Sequence, residues 1–511
     1  MKIRNKKLKA LVLCAATAIM TFASPLTVEA GYGYTYNYDY WGDVQYSPDA
    51  YEVGGVFTSS ELGLDTKLNA PQGMFVSGRK VYICDTGNNR IVVLTRDTEE
   101  SFKVENIIES FNLGSNADTD VNTFNMPTDI SVSEEGDMYI ADQNNNRIVK
   151  LDKDLNYKMS FTKPTDQTFD QSITFLPSKI SVDTAGRVYC IAVNVNQGLI
   201  KFENDGVFSG FVGATKVTYE WTDYIWKKLA TKEQRAQMAS FVPTEYDNLF
   251  IDHEGFVYVC TTNVSEADLD SGAATPIRRL NMIGNDILVR NGNYEIIGDI
   301  EWDNAAGYDG PSLITDITAL ENDVYVALDK TRGRLFAYDD QGRMLYAFGG
   351  NGNMDGYFKK PIAIDHMGND LLVLDNQDCS ITLFTNTTFG KNIFKAIEQF
   401  QLGQYTESGQ SWQAVMDMNG NYDLAYIGIG RSLLRQKKYG EALDYFKLKY
   451  DEDNYSKAFK QYRKAWVEDH IGIIFVLFFL VLIVPLAIGK VKKLKFEIDT
   501  ADIFKYEHLR K

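Results

Sequence analysis

Cysteine is scarce in this chain. Only five cysteines occur among 511 residues, and no two of them form a C-x-x-C pair. Cys84 and Cys260 stand at the same place in two apolar strand patterns, VYIC and VYVC. That placement favours buried thiols over a disulfide framework or a thiolate metal site.

Histidine is equally scarce, with four residues in the chain. His253 and His366 fall in predicted hairpin turns, and His470 borders a long apolar run, so no histidine cluster for zinc is expected. The chain also lacks a G-x-S-x-G, H-E-x-x-H or phosphate-binding motif in a fitting strand-to-helix context. An enzyme is therefore the less favoured interpretation.

Positive charge is under-represented, and the formal net charge is -17. The first 30 residues hold five basic residues and one acidic residue, and the stretch from Lys490 onward holds seven and four. The remaining part carries about -24. Such a surface should repel nucleic acid and anionic lipid, which leaves neutral ligands, including glycans, and cationic ligands open.

The N-terminus has the pattern of a secretory signal peptide. An apolar run from Ala10 to Met20 is followed by Val28, Glu29 and Ala30, which resemble a small-residue cleavage site. Five basic residues precede the run: Lys2, Arg4, Lys6, Lys7 and Lys9. We expect residues 1–30 to be removed. Lipid attachment at Cys14 is the minor alternative, because Leu13 stands where such sites need a small residue.

A second apolar run, from Ile471 to Gly489, predicts one transmembrane helix. Its 19 uncharged residues would extend about 28 Å as a helix, enough to cross the hydrocarbon core. Lys490, Lys492 and Lys493 follow directly, which indicates a cytoplasmic tail over residues 490–511. We therefore expect a single-pass protein of the cell membrane, with its N-terminus and its large domain outside.

A sequence pattern recurs six times between about residue 71 and residue 387. Each copy has two alternating apolar and polar strands around an acidic or glycine turn, followed by further strand patterns, which predicts a four-stranded antiparallel blade. Blades that stack around an axis bury both faces. We expect a closed propeller over residues 51–390, with Tyr51–Phe57 completing the ring. The copies begin at Pro71, Pro127, Pro177, Pro243, Ile314 and Pro361.

The turn after the second strand carries D-x-x-N-N-R-I in two copies, at 85–91 and 142–148. This pattern resembles the NHL repeat family. The resemblance implies a mainly β, six-bladed NHL-like β-propeller. It leaves function open, because such propellers include both binding platforms and enzymes.

The acidic and basic residues of these turns are the candidate ligand contacts, since we expect them on one rim of the pore. The alternative is a structural role, with aspartates holding the turns and arginines pairing with an aspartate of the neighbouring blade. Related lactonases and lyases hold metals at the pore. We predict no cofactor, although a carboxylate site for calcium stays open. The candidates are Asp85, Arg90, Asp142, Arg147, Asp329, Arg334 and Asp375.

Three segments of the chain do not follow the repeat. Residues 218–240 read as an amphipathic helix inserted in the propeller, either a lid or partner groove or a helix packed on its side. Residues 391–469 are predicted to be helical and to form a stalk. Within them, Gly430, Ala442 and Phe446 resemble the helix contacts of one tetratricopeptide repeat. Residues 31–50 form a tyrosine-rich leader, which is a sugar-stacking face, a docking strand or a flexible leader.

These features favour a membrane-anchored extracellular propeller that binds a protein partner or an envelope carbohydrate, with a transport complex as a fitting neighbour. The alternative is a metal-dependent lactonase-like or lyase-like propeller. A purely structural spacer is the third interpretation.

Overall fold

The structure is a computed structural model that describes residues 34–114, 117, 119–213, 245–300 and 310–507. The predicted signal peptide and the predicted helix at 218–240 lie outside the described residues. The chain forms two compact units. The first extends to Phe394 and includes Asp417–Tyr422, and the second consists of Lys395–Met416 and Asp423–Lys511.

The first unit is a six-bladed propeller preceded by three strands, β1 (Tyr36–Tyr38), β2 (Val44–Tyr46) and β3 (Tyr51–Thr58). Blade 1 contains β4 (Gly73–Ser77), β5 (Lys80–Asp85), β6 (Arg90–Thr98) and β7 (Ser101–Ile108). Blade 2 contains β8 (Pro127–Val132), β9 (Met138–Asp142), β10 (Arg147–Leu151) and β11 (Tyr157–Phe161). Blade 3 contains β12 (Pro177–Val182), β13 (Val188–Ala192), β14 (Leu199–Phe202) and β15 (Phe208–Val212).

Blade 4 contains β16 (Asn248–Ile251), β17 (Val257–Cys260) and β18 (Ile277–Leu280) among the residues that the structure describes. Blade 5 contains β19 (Ile314–Ala319), β20 (Tyr325–Asp329), β21 (Arg334–Tyr338) and β22 (Met344–Gly349). Blade 6 contains β23 (Pro361–Met367), β24 (Asp370–Asp375) and β25 (Ser380–Asn386). The first strands of the six blades contact one another in sequence and line the axis.

The ring is closed by β3, which supplies the fourth strand of blade 6. It runs antiparallel to β25, with Tyr51 opposite Asn386 and Thr58 opposite Ser380. The prediction that Tyr51–Phe57 completes the ring is confirmed. Because a strand from the N-terminal end of the propeller pairs with the last blade, no blade of the ring is left as a free end.

Alternating apolar residues produce the core between blades. On one face of the blade 1 sheet, Ile83 and Val92 pack with Leu372 and Leu383 of blade 6. On the other face, Cys84 and Ile91 pack towards blade 2. Successive residues of a strand point to opposite faces of its sheet, so each blade has two apolar faces, one towards each neighbour. The buried thiols Cys84 and Cys260 belong to these faces and are free, as the sequence predicts.

The described part of the tyrosine-rich leader is a hairpin. β1 pairs with β2 and with the edge of β22, so blade 5 is a six-stranded sheet. The side chain of Tyr36 is buried in the cluster beneath this hairpin, together with Tyr325 and Phe336. The docking-strand interpretation therefore describes residues 34–46, with Tyr34, Tyr36 and Tyr38 packed against blade 5.

The α-helices within the described residues are α1 (Glu266–Asp270), α2 (Thr388–Gln401), α3 (Tyr405–Met418), α4 (Asp423–Arg435), α5 (Tyr439–Leu448) and α6 (Glu452–Glu507). In the second unit, α5 and the start of α6 share a small core of Ala442, Phe446 and Ala458. The predicted helical region is confirmed.

One helix in the described part of the chain is long and apolar enough to cross a membrane. It is α6, whose apolar part lies within Glu452–Thr500. This stretch contains the predicted span, Ile471–Gly489, and α6 continues without interruption past Pro485. Proline is tolerated in membrane helices, where neighbouring groups satisfy the freed carbonyl.

Candidate functional site

In blades 1 and 2, the turn with the predicted ligand contacts is held by a hydrogen bond between its arginine and its aspartate, which we call the clamp. In blade 1, Arg90 Nε donates to Asp85 Oδ2 at 2.7 Å, and Asp85 is fully buried. Asp85 Oδ1 accepts the backbone N–H of Asn69 at 2.7 Å, and Arg90 also donates to Thr66 O. The clamp thus ties the loop that enters the blade to the turn that follows its second strand.

Blade 2 repeats this geometry. Arg147 Nε donates to Asp142 Oδ2 at 2.9 Å, and Asp142 Oδ1 accepts the N–H of Asn125 at 2.7 Å. In blade 6, Asp375 has no arginine partner in the motif, but its Oδ2 accepts the N–H groups of Lys359 and Lys360 at 2.7 and 3.0 Å. In these three blades the turn and the entering loop therefore lie together at the same end of the blade.

The expected arginine pairing across blades is wrong for these two copies. Arg90 and Arg147 pair with the aspartate of their own blade, because that aspartate stands directly opposite in the antiparallel register. These contacts provide the structural role that was the alternative for five of the seven candidates, whereas Asp329 and Arg334 of blade 5 do not form such a bond with each other. Ligand contact by these residues stays a prediction.

Blades are joined by the residue that follows the motif aspartate. Thr86 Oγ1 donates to Pro127 O at 2.7 Å, Gln143 Nε2 to Pro177 O at 3.3 Å and Asn376 Nδ2 to Pro71 O at 2.8 Å. Each acceptor is the carbonyl of the proline at which the next repeat copy begins, at or just before the first strand of that blade. The motif turn therefore holds its own blade and the next one.

The innermost strands place one polar layer at the axis. The equivalent residues of the six strands each pair with the second strand of their blade, for example Gly73 with Cys84 and Asn248 with Cys260. We call these six residues the axial layer. Its members in blade order are Gly73, Asp129, Lys179, Asn248, Asp316 and Ala363.

The aspartates at the axis connect neighbouring blades. Asp129 Oδ2 accepts the N–H of Ile180 at 2.8 Å, and Asp316 Oδ2 accepts that of Ile364 at 2.7 Å. Asp365, two residues after Ala363, does the same for Val76 of blade 1 at 2.7 Å. These carboxylates are buried, and each is tied to the following blade.

Lys179 supplies the positive charge of the axial layer. In the described part of the chain its ammonium group donates one hydrogen bond, to Gln72 O across the axis at 3.0 Å, and pairs with no carboxylate. An ammonium group has three N–H donors, so two remain for a ligand or water. Lys179 is partly exposed, while Asp129 and Asp316 beside it are buried.

Burial dominates the electrostatics of this layer. It raises the pKa of Asp129, and it raises the pKa of Asp316 to about 7, while Lys179 and the backbone donors act in the opposite direction. Burial disfavours the charged carboxylate because it removes water. Asp316 thus gains or loses its proton near neutral pH.

No group of three or more histidine, cysteine, aspartate or glutamate side chains in the described ranges is arranged to hold a metal ion. The axial aspartates are separated by one blade or more and are already bound to backbone N–H groups. Their chemistry suits hydrogen bonding to polar groups, and the expectation of calcium stays untested.

The axial layer was not predicted from the sequence, in which the recurring turn motif is the more conspicuous pattern. A signal was present: Asp129, Lys179 and Asp316 are charged residues at the third position of copies that otherwise read as buried strands, PTDISV, PSKISV and ITDITA. A charge that recurs inside an apolar strand at the same repeat position indicates an axis or a site.

Comparison with known proteins supports the fold. Residues 124–151, which include β8 to β10, match the NHL repeat. The chain is therefore a six-bladed propeller that contains an NHL repeat. No curated protein matches its sequence.

Similar solved structures are propeller proteins of low sequence identity. Virginiamycin B lyase from Staphylococcus aureus is 13% identical, with a TM-score of 0.39, and the match covers 66% of this chain and 100% of the lyase. A protein of unknown function from Bacteroides thetaiotaomicron is 11% identical over 70% of this chain and 91% of its own, with a TM-score of 0.38. A putative gluconolactonase is 9% identical over 67% and 94%, with a TM-score of 0.38.

Proposed function

We propose that this protein is a membrane-anchored binding module whose propeller holds a polar ligand at the axial layer. The ligand is a hydroxyl-rich envelope carbohydrate or a polar segment of a partner protein. The observation that carries the proposal is Lys179, a partly exposed cation with spare donors at the centre of the ring.

The chemistry of the layer fits recognition better than bond cleavage. Lys179 donates hydrogen bonds, while the carboxylates of Asp129 and Asp316 accept them, and sugar hydroxyls do both. The aspartates are fixed by backbone N–H groups of the next blade, so they are preorganised as acceptors. Polar groups that are already fixed in place give specificity because little order must be gained on binding.

A glycan array of envelope polysaccharide fragments tests this proposal, with the full chain in detergent micelles as the probe. The Lys179→Met variant should lose at least about tenfold in signal, because it removes the charged donor. Lys153→Met changes an exposed lysine in a β10–β11 turn and should bind as the parent does. Equal binding by parent and Lys179→Met would refute the axial site, and binding to no glycan would leave only the protein-segment ligand.

The orientation of the chain follows from the basic cluster after the span. Lys490, Lys492, Lys493 and Lys495 favour the cytoplasmic side, which puts the propeller outside. The helical unit then stands next to the outer surface, since α6 runs from its core at Ala458 directly into the apolar stretch.

The helical unit resembles two tetratricopeptide-like repeats rather than one. Gly430, Ala442 and Phe446 each have a counterpart 34 residues earlier, namely Ala396, Ser408 and Trp412. A spacing of about 34 residues is that of tetratricopeptide repeats. Ser408 Oγ donates to Ala396 O at 2.8 Å, and Trp412 lies against Gly428, as Phe446 lies against Gly430. The start of α6 covers the second repeat.

The alternative is a lactonase-like or lyase-like enzyme. The observation in its favour is Asp316, whose pKa of about 7 suits proton transfer at neutral pH. Lactone hydrolysis by the full chain with added calcium, abolished in Asp316→Asn, would support this alternative over the binding module. Unchanged lactone levels with the full chain would remove it.

A further inference from the structure

Blade 5 departs from the clamp of blades 1 and 2. Its turn reads D-K-T-R-G-R from Asp329 to Arg334, where blade 1 reads D-T-G-N-N-R. Arg332 therefore stands at the position of Asn88, and Gly333 at that of Asn89. Asn88 Nδ2 donates to Asp85 Oδ2 at 2.8 Å, whereas Arg332 Nη1 lies 3.7 Å from Asp329 Oδ2.

Two buried polar atoms of this turn, Asp329 Oδ2 and Arg334 Nη1, have no hydrogen-bond partner among the residues that the structure describes. Their residues stand directly opposite each other in the β20–β21 register, as Asp85 and Arg90 do in blade 1. In blades 1 and 2 the same pair forms a hydrogen bond of 2.7 or 2.9 Å. Leaving such groups unpaired costs free energy, so the contacts that hold Arg334 elsewhere must offset it.

Arg334 is held by the N-terminal hairpin. Its guanidinium lies over the rings of Tyr34 and Tyr36, 5.4 and 4.9 Å from their centroids. Its Nε is 3.8 Å from Asp299 Oδ2. Tyr36 and Tyr38 donate hydrogen bonds to Asp299 Oδ1, the latter at 2.9 Å. Arginine over aromatic rings and beside a carboxylate is a favourable arrangement when partly desolvated.

We propose that the hairpin of residues 34–46 is a releasable strap and that Arg334 exchanges between two partners. With the strap docked, Arg334 contacts the tyrosine rings and Asp299. With the strap released, Arg334 turns to Asp329 and forms the clamp seen in blades 1 and 2. Asp329, which stands opposite Arg334 in the β20–β21 register, is thus the second partner of the Arg334 side chain.

The attachment of the strap is suited to release. Its strand pairing with blade 5 is limited to one position, Tyr36 opposite Ala347, and Tyr294 Oη adds hydrogen bonds to the carbonyls of Asp39 and Tyr40. The ring closes independently of the strap, through β3 and β25. The strap's outer side carries Trp41 and Tyr46, which are 70% and 57% exposed. Release would make β22 (Met344–Gly349) an edge strand, and the edge of a sheet accepts an extended polypeptide strand.

Hydrogen exchange of the backbone amides in residues 34–46, followed by mass spectrometry on the full chain, tests the exchange of partners. Arg334→Met removes the docked contacts and should speed exchange in the strap. Asp329→Asn removes the charge that stabilises the released state and should slow strap exchange by about tenfold. Asp142→Asn changes the equivalent aspartate of blade 2 and should speed exchange in blade 2 without slowing it in the strap.

Slower strap exchange in Asp329→Asn, with blades 1 to 3 unchanged, would support the proposal. An unchanged or faster strap in that variant would overturn it, since a passive strap gains nothing from losing Asp329. Equal slowing by Asp142→Asn would overturn it as well, because the effect would then not be specific to blade 5.

Discussion

At the scale of single residues, the buried aspartates of this propeller are connectors. Asp85 and Asp142 each join an entering loop to a turn, and Asp129 and Asp316 each join one blade to the next. A carboxylate has four acceptor sites, so one side chain can serve two chain segments at once. Acidic residues in this acidic chain are therefore part of its interior as well as its surface.

Asp316 makes a prediction for stability as a function of pH. Its pKa is raised from 3.8 to about 7 in the folded state, so the folded protein holds this proton more tightly than the unfolded chain. The contribution of this proton to the free energy of unfolding is fully present below pH 4. It declines as the pH rises towards 7, by at most about 1.4 kcal/mol per pH unit. Urea denaturation of the detergent-solubilised chain between pH 4 and 8 measures this decline.

Asp316→Asn should flatten that decline, because asparagine does not ionise and can still accept from Ile364. Asp154→Asn, at an exposed position, serves as the control and should leave the profile as it is. If Asp316→Asn showed the same decline as the parent, other groups would be responsible for it.

At the scale of elements, the helical unit depends on small residues where helices cross. A Cβ at Gly430 would come within 2.7 Å of Phe446 Cε1, and Phe446 is fully buried. Gly430→Ala should therefore lower the free energy of unfolding of this unit by about 1–3 kcal/mol through overpacking. Thermal unfolding of the detergent-solubilised chain, followed by circular dichroism at a helix wavelength, would show the change.

Gly440 offers the matched control. A Cβ there would meet Tyr462 Cε2 at 3.8 Å, an ordinary contact. Gly440→Ala should be neutral or stabilising by up to about 1 kcal/mol, because alanine favours helix. Comparable loss of stability in both variants would contradict the packing argument.

The elements that repeat could be predicted from the sequence, whereas those that deviate from the repeat could not. Six blades, the closing strand and the long apolar helix follow from alternation and run length, which are local patterns. The second helical repeat that we propose was not predicted, because Ala396, Ser408 and Trp412 would replace its usual glycine, alanine and phenylalanine.

The arrangement of the candidate residues was predictable only in part. The joining of each turn to its entering loop followed from strand order, whereas the partner of each arginine did not. Arg90 and Arg334 both stand opposite an aspartate in the register, but Arg90 pairs with Asp85 while Arg334 contacts Tyr34 and Tyr36. Such competition involves residues almost 300 positions apart, and no local pattern records it.

At the scale of the whole molecule, the span and its basic flank predict a fixed orientation. Trypsin added to intact cells should digest the propeller and leave a small fragment that contains the C-terminal tail, detected through an epitope tag after Lys511. Membranes opened by sonication should lose the tag as well. Loss of the tag from intact cells would show the opposite orientation.

Closure by β3 also sets an order of events during biogenesis. Tyr51–Thr58 is synthesised early, but its partner Ser380–Asn386 follows more than 300 residues later. Until then β3 has no neighbour, and closing so long a loop carries an entropic cost. In the orientation that we propose, a nascent chain that crosses the membrane N-terminus first would keep this strand unpaired until blade 6 emerges. The unpaired strand would then be a target for an export chaperone and a hazard for aggregation if translocation stalls.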